Sequence, residues 1–308
     1  MRTDKTRIHR GLVGDRMLVG SGYLGKADLR QEYDTEIAPR TEAALRRILR
    51  QVDFEPGRPR RVLDLGAGTG AAGRAARGCF GQEIELVAVD KVPGPGILVA
   101  DVLRGVRPAG VSGRFDLIVS AHLLNELGAS LDLDARARLV AGWCRDLLEP
   151  DGTCVVIEPA LRNTSRALLG VRDCLLAAGL HVTAPCFCQT ACPALQRERD
   201  WCHDSAEVLI AGRSRVDFSY LVLRGAAATE VDPNRYRVVS DPIKDKGRLR
   251  FFICGATGRF ALMRLDRHRS PANQALDQAR RGEVIVVANA PVRDDGIRIA
   301  VDSTVRIG

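Results

Sequence analysis

An apolar strand that runs straight into three closely spaced glycines constrains this chain more than any other feature. Val62-Leu63-Asp64-Leu65-Gly66-Ala67-Gly68-Thr69-Gly70 leads into a run of small residues, Ala71 to Phe80, that reads as a helix. Glycine lets backbone approach a ligand closely, and the start of the following helix presents free N–H groups. A glycine-rich loop alone is a weak signal. This one follows a strand, opens a helix and carries an acid, Asp64, inside the strand.

Around that unit, strands and helices alternate. Strands are predicted at Arg61–Leu65, Ile84–Val89, Gly96–Ala100, Phe115–Ser120, Gly152–Ile157, His181–Ala184 and Phe218–Leu223. Helices are predicted at Ala71–Phe80, Leu131–Leu148 and Arg162–Ala178, the last closed by Gly179. Alternation of this kind implies an α/β fold built on an open, mostly parallel sheet. The 308 residues exceed what such a sheet needs. Residues 1–55 read as an N-terminal helical extension, with apolar Ile37, Leu45, Ile48 and Val52 at helical spacing and Pro39 starting or breaking a helix. Pro56-Gly57-Arg58-Pro59 reads as a turn. The central domain then spans 56–225, and 226–308 form a small β-rich domain with strands at Tyr236–Val239, Arg248–Cys254, Phe260–Leu265, Glu283–Ala288 and Gly296–Val301, interrupted by a helix at Ala272–Arg281.

Ligands of open α/β sheets sit at the carboxyl ends of the strands. Asp90 ends the second strand, where an acid can hold both ribose hydroxyls, and Asp101 follows the third, within reach of an adenine. At the end of the fourth strand stands Ser120, and past it His122, Asn125 and Glu126. His122 reads either as a general base or as a packed residue at a helix start. The segment has neither an Asn-Pro-Pro-Tyr motif nor a Pro-Cys pair, so it signals neither nucleobase amino-methylation nor a covalent cytosine mechanism. A nicotinamide-dinucleotide site, or a fold that has lost its ligand, are the competing readings. The loop Asp64, Gly66, Ala67, Gly68, Gly70 together with the two downstream acids resembles the S-adenosylmethionine-dependent methyltransferases with a seven-stranded, Rossmann-like sheet of class I. The resemblance implies that the loop lies against the amino-acid part of that cofactor.

Nine cysteines occur, and Cys186, Cys188, Cys192 and Cys202, with His203, fall within eighteen positions. No apolar leader with a cleavage site precedes the chain's charged first residues, so a disulfide scaffold is not expected. Thiolates at this density suit zinc or an iron–sulfur cluster, against the plain alternative of reduced cysteines in a hairpin. Cys79, Cys144, Cys154 and Cys174 stand singly and read as small core residues. Cys254 ends a strand beside Gly255 and could supply a fourth ligand, stapling the β-rich domain to the central one.

The order of motifs carries a closer resemblance. The glycine loop is followed by Ile157-Glu158-Pro159, Cys186-x5-Cys192-Pro193, Asp200-Trp201-Cys202-His203, Phe218-Ser219-Tyr220 and Arg237-Val238-Val239-Ser240-Asp241-Pro242, then by a distant cysteine. Over roughly residues 20–270 this resembles the methyltransferase-like assembly factors of the mitochondrial small ribosomal subunit and their bacterial relatives. The resemblance implies a [4Fe–4S] cluster on Cys186, Cys192, Cys202 and Cys254, and action on or beside small-subunit ribosomal RNA. It implies a cytoplasmic place in a bacterium and the mitochondrial matrix in a eukaryote. Phe187-Cys188 stands where the family has Pro-His, which leaves Cys188 as an alternative ligand, and Ala160 stands where glycine is common.

A net charge of +8, supplied mostly by arginine, favours a polyanionic partner, RNA first. Lys246, Arg248, Arg250, Arg264 and Arg267 form a basic run, with arginines alternating with apolar residues along one strand. Such a row can meet phosphates, or be an ordinary solvated face. Aromatic residues make up only 5%, so a base-stacking platform is not indicated. No apolar run reaches the eighteen residues of a membrane span. Nothing in the sequence signals an oligomeric state. Three functions fit: an Fe–S methyltransferase-like protein of small-subunit RNA, a small-molecule or protein methyltransferase with a structural zinc, and a non-catalytic RNA-binding scaffold.

Overall fold

The computed structural model describes residues 6–52, 54, 59–210, 213–224, 232–293 and 296–308. Met1–Lys5, Gly225 and most of the turn at Pro56–Pro59 lie outside the described residues.

The N-terminal part is helical: α1 (Arg7–His9), α2 (Ala27–Glu36) and α3 (Ala38–Leu49). Helices α2 and α3 meet at Ile37, and Pro39 sits in the first turn of α3, where its missing N–H costs nothing. Ala44, Leu45, Ile48 and Leu49 recur on one face of α3 and are buried against α4 (Ala71–Phe80) and the central sheet.

The central sheet contains β1 (Arg61–Leu65), β2 (Glu85–Asp90), β3 (Ile97–Val99), β4 (Phe115–Ala121), β5 (Leu148–Pro159), β6 (His181–Ala184), β7 (Asp204–Ile210) and β8 (Arg213–Arg224). Its order is β3-β2-β1-β4-β5-β8-β6, with β7 pairing β8 as an eighth strand. Strands β1 to β5 pair in parallel and β8 runs antiparallel to β5 and β6. The seven-stranded class I arrangement is therefore present, and the β7–β8 hairpin extends it. Helices α5 (Leu123–Glu126), α6 (Leu133–Asp146) and α7 (Arg162–Ala177) complete this part. One face of the sheet packs against α6 and α7 around Trp143, Val140 and Leu175, the other against α3 and α4. Strands buried on both faces read as continuous apolar runs, as Leu117-Ile118-Val119 does.

The C-terminal part forms a second sheet from β9 (Arg235–Val238), β10 (Ile243–Asp245), β11 (Arg248–Gly255), β12 (Gly258–Leu265), β13 (Val284–Ala288), β14 (Val292–Arg293), β15 (Gly296–Ile299) and β16 (Thr304–Ile307). Its path is β14-β15-β12-β11-β9-β13-β16, with β10 on β11. The helix expected at Ala272–Arg281 is not an α-helix: only a 3-10 turn forms, at Gln274–Asp277. Asn273 explains this. Fully buried, it donates to His268 O and Ala300 O at 3.0 Å each, which fixes a tight turn where helix propensity alone would continue.

The two sheets are joined by buried arginine. Arg237 on β9 donates to Pro185 O at 2.8 Å, Gly282 O at 2.6 Å and Gln51 Oε1 at 3.2 Å, so β9, the loop after β6 and the end of α3 share one side chain. Asp241 adds ion pairs to Arg215 on β8 and to Arg281.

Candidate functional site

The glycine loop is shaped by its own backbone. Gly66, Gly68 and Gly70 have φ of +75°, +57° and +82°. At Gly66 a Cβ would also come within 3.1 Å of the Leu123 side chain, so both conformation and space call for glycine there. Asp90 Oδ2 accepts from Gly68 N at 2.8 Å and its Oδ1 accepts from Val92 N at 2.8 Å, tying the end of β2 to the loop. Asp64 lies beneath the loop, 1% exposed, and accepts from Gly73 N in the first turn of α4. Burial pushes its carboxyl up to about 7.

Gly66, Gly68, Asp90 and Asp101 line one cavity of about 350 Å³, closed on its far side by Tyr23 and Leu24 of the N-terminal segment. Asp101 also accepts from Leu103 N at 2.9 Å. Ala67, Gly70, Asp64 and Ser120 are not among the lining residues. Ala67 and Gly70 shape the turn, and Ser120 is fully buried at the end of β4.

Next to it opens a second cavity, of about 320 Å³ and mostly apolar walls, and the two share Val19, Tyr23, Tyr33, His122 and Glu126. The expected residues His122, Asn125 and Glu126 all line it. His122 begins α5 in the left-handed conformation, φ +62°, with its N–H on Ile157 O at 2.7 Å. Its Nε2 meets Thr41 Oγ1 at 3.1 Å. Burial pulls the imidazole down to about 4, so it is neutral at physiological pH and a weak base. Glu126 is raised by burial and receives the Tyr23 hydroxyl at 3.3 Å. Asn125 accepts from Arg16 Nη2 at 2.8 Å. These N-terminal partners were not visible in sequence: Arg16, Tyr23 and Thr41 reach residues 81 or more positions away, and no local pattern marks them. Glu158, part of a quoted motif but not counted as a site residue, accepts from Asn125 N at 3.2 Å and so anchors the start of α5.

The cysteines come from three places. Cys186 and Cys192 lie on the loop after β6, Cys202 lies just before β7, and Cys254 lies on β11 of the other sheet. Among the described residues no three His, Cys, Asp or Glu side chains are close enough as placed to hold a metal ion. The four thiols are nonetheless within electrostatic reach of each other. Burial, then Cys186, pushes Cys192 up to about 11. Burial, then Cys186 and Cys192, pushes Cys202 up to about 12, and burial followed by Cys186, Cys202 and Cys192 raises Cys254 further. Cys188 instead bonds Thr190 Oγ1 at 3.1 Å. Arg172, wholly buried on α7, holds the loop: it donates to Cys186 Sγ at 3.3 Å, to Thr190 O at 2.8 Å and to Cys188 O, and pairs with Asp173. Asp173 in turn accepts from Cys192 N. Burial disfavours the Arg172 cation, but Cys186, Cys192 and Asp173 together outweigh burial and keep it above its ordinary value. Four soft sulfur donors beside a buried cation are chemically suited to a thiolate-bound metal.

The basic run divides. Lys246, Arg248 and Arg267 are exposed and Arg250 is half-buried, with Arg248 and Arg250 paired to Asp245. Arg264 departs from the expectation: at 2% exposure it lies inside the second sheet, donating to Asn273 O and paired with Asp277, so it is a structural residue and no part of a phosphate-facing row.

No helix among the described residues is long and apolar enough to cross a membrane. The sequence profile of one family, described as mitochondrial small ribosomal subunit Rsm22, matches residues 30–283. No curated protein sequence matches the chain. Solved structures with a similar fold include the plantazolicin methyltransferase BpumL in complex with SAH, 12% identical over 72% of this chain and 100% of that one, TM-score 0.40. A SAM-dependent methyltransferase from Leishmania major is 12% identical over 71% and 87%, TM-score 0.43. TrmN from Thermus thermophilus is 18% identical over 62% of this chain and 52% of its own, TM-score 0.34.

Proposed function

The chain belongs to the family of mitochondrial small ribosomal subunit Rsm22, and on that premise we propose that it binds S-adenosylmethionine and acts as a methyltransferase-like protein on or beside small-subunit ribosomal RNA. The observation that carries this is the pair of joined cavities, one edged by the glycine loop and Asp90, the other by His122, Asn125 and Glu126, sharing a wall where a methyl group would pass. Asp90 suits the ribose hydroxyls, and Asp101 the adenine side. His122 and Asn125 orient the acceptor. Glu126, raised by burial, can take a proton released by it. The exposed arginines Arg248 and Arg267 with Lys246 add a long-range attraction for RNA.

The cysteines belong to the same reading. Cys186, Cys192, Cys202 and Cys254 would hold a [4Fe–4S] cluster or a zinc ion whose contribution is to lock the two sheets together. Cys254 is favoured over Cys188 because Cys188 already bonds Thr190. The site of action would be the mitochondrial matrix for a eukaryotic chain and the cytoplasm for a bacterial one.

Anaerobic purification with iron, sulfide and zinc analysis tests the metal, and calorimetric titration with S-adenosylmethionine followed by radiolabelled methyl transfer to small-subunit RNA tests the rest. About four irons per chain and a broad band near ~400 nm favour the cluster. A colourless protein with one zinc, active on a low-mass acceptor, favours the small-molecule methyltransferase. Cofactor binding without transfer to any subunit RNA favours the scaffold.

A further inference from the structure

A third cavity, of about 400 Å³, lies beside the acceptor cavity and shares Val19 and Asn125 with it. Its polar lining is Arg16, Asn125, Arg136, Glu158, Asn163 and Thr164. Two atoms make this lining unusual. Glu158, 2% exposed, has one carboxylate oxygen on Asn125 N while Oε1 is buried without a protein partner among the described residues. Arg16 Nη1 is likewise buried and unpartnered, although Nη2 is held by Asn125. A buried polar atom without a partner is destabilising, more so when charged, unless something binds to it. Arg16 also keeps a left-handed backbone, φ +62°, which is strained for a non-glycine residue.

The sign of the site follows from its charges. Arg16 and Arg136 are cations, and Glu158 is the one acid in the lining. Burial pushes Glu158 up to about 8, so at neutral pH its carboxyl holds a proton and can donate. The first turn of α7 faces the same space through Asn163 and Thr164; its cap residue, Leu161, has no side-chain acceptor, and Asn163 Oδ1 accepts from Thr164 N at 2.9 Å. Two cations and the Glu158 carboxyl thus line one space, and among the described lining residues no other acid opposes them.

We propose that this side cavity binds a phosphate group of the methyl acceptor, held by Arg16 and Arg136 with Asn163 and the Glu158 carboxyl. The proposal rests on the reading of the neighbouring cavity as the acceptor site. The phosphate belongs either to the backbone of an RNA strand or to a small nucleotide, and the geometry asks the same of both: a phosphate one group removed from the methylated atom.

The test uses the full chain as wild type, R16M, R136M and, as a control on the far end of α6, R145M. Arg145 is exposed and, among the described residues, forms its ion pair with Asp146. Each is titrated with inorganic phosphate, with a single-stranded oligouridylate of about a dozen nucleotides, and separately with S-adenosylmethionine. We expect R16M and R136M each to weaken phosphate binding about tenfold, as loss of a charge-assisted hydrogen bond does, with R145M unchanged and cofactor affinity equal in all four. A parallel tenfold loss for the oligonucleotide, with its salt dependence reduced by about one charge, assigns the phosphate to an RNA strand. Unchanged oligonucleotide binding assigns it to a small nucleotide. No phosphate binding by the wild type, or equal binding by all four proteins, overturns the pocket. Failure of the wild type to bind S-adenosylmethionine sinks the methyltransferase reading instead, because phosphate is titrated without the cofactor. Should R16M not fold, R136M, half-buried on the first turn of α6, carries the test alone.

Discussion

The glycine loop and the cysteine site solve opposite problems. The loop is local: strand, turn and helix start lie within Val62–Ala71, and its shape comes from backbone that only glycine adopts easily. The cysteine site is remote: its thiols stand on a loop, before a hairpin and on a separate sheet, and buried Arg172 and Arg237 hold these parts in register. A local site is preformed by the fold. A remote one would draw much of its stability from whatever its thiols hold.

That contrast predicts a clean separation of defects. With the proposed metal bound, Cys254→Ser should release it and remove on the order of 5 kcal/mol of stability, read as a lower melting temperature with metal analysis, while cofactor affinity stays within about twofold. An equal loss of cofactor binding would break the comparison by showing the two sites to be one unit.

The next effect is a pH dependence in the loop. The folded carboxyl of Asp64 titrates at about 7, above its ordinary 3.8. Between those values the folded chain keeps a proton that the unfolded chain has given up. Stability is therefore full below about pH 4 and is lost as pH rises through 7, by a few kcal/mol at about 1.36 kcal/mol per unit. Asp64→Asn should remove that slope, matching the wild type at pH 4 and exceeding it at pH 8 in denaturant melts. An unchanged slope would show that Asp64 is not the group responsible.

Asp90→Ala should weaken S-adenosylmethionine about a hundredfold by calorimetry, since it would remove the ribose contacts proposed for Asp90 as well as the tie to Gly68 N, with any metal content unaltered. The smallest effect belongs to the surface: Arg248→Ala with Arg250→Ala should shift stability by less than about 0.5 kcal/mol, because pairs with Asp245 are partly exposed, and should show instead as a shallower salt dependence of RNA binding.

The same contrast governs what could be read before the fold was known. Strand Arg61–Leu65, helix Ala71–Phe80 and strand His181–Ala184 stand where local pattern puts them. Strand β7 was missed because Asp204-Ser205-Ala206-Glu207 reads as polar loop and Leu209, 91% exposed, offers no buried face. The helix over Ala272–Arg281 was lost to Asn273, whose partners come from distant carbonyls. Arg264 looked like its neighbours along the chain, and only the strand pairing shows that it points inward to Asp277. In the candidate site, His122 and Asp90 could be named from strand ends, whereas Arg16 and Tyr23 depend on an N-terminal segment folding back over the pocket.

Placing Cys254 on β11 has a temporal side. A chain made from its N-terminus completes β8 at Arg224 and can close the central sheet before β11 exists. Until then Cys186, Cys192 and Cys202 stand without Cys254, and a chain stopped short of β11 never brings the fourth thiol to them. In the proposed metal site, binding by all four thiols would therefore require that translation has passed β11 and that the second sheet has docked, which would tie metal loading to the order in which the chain is made.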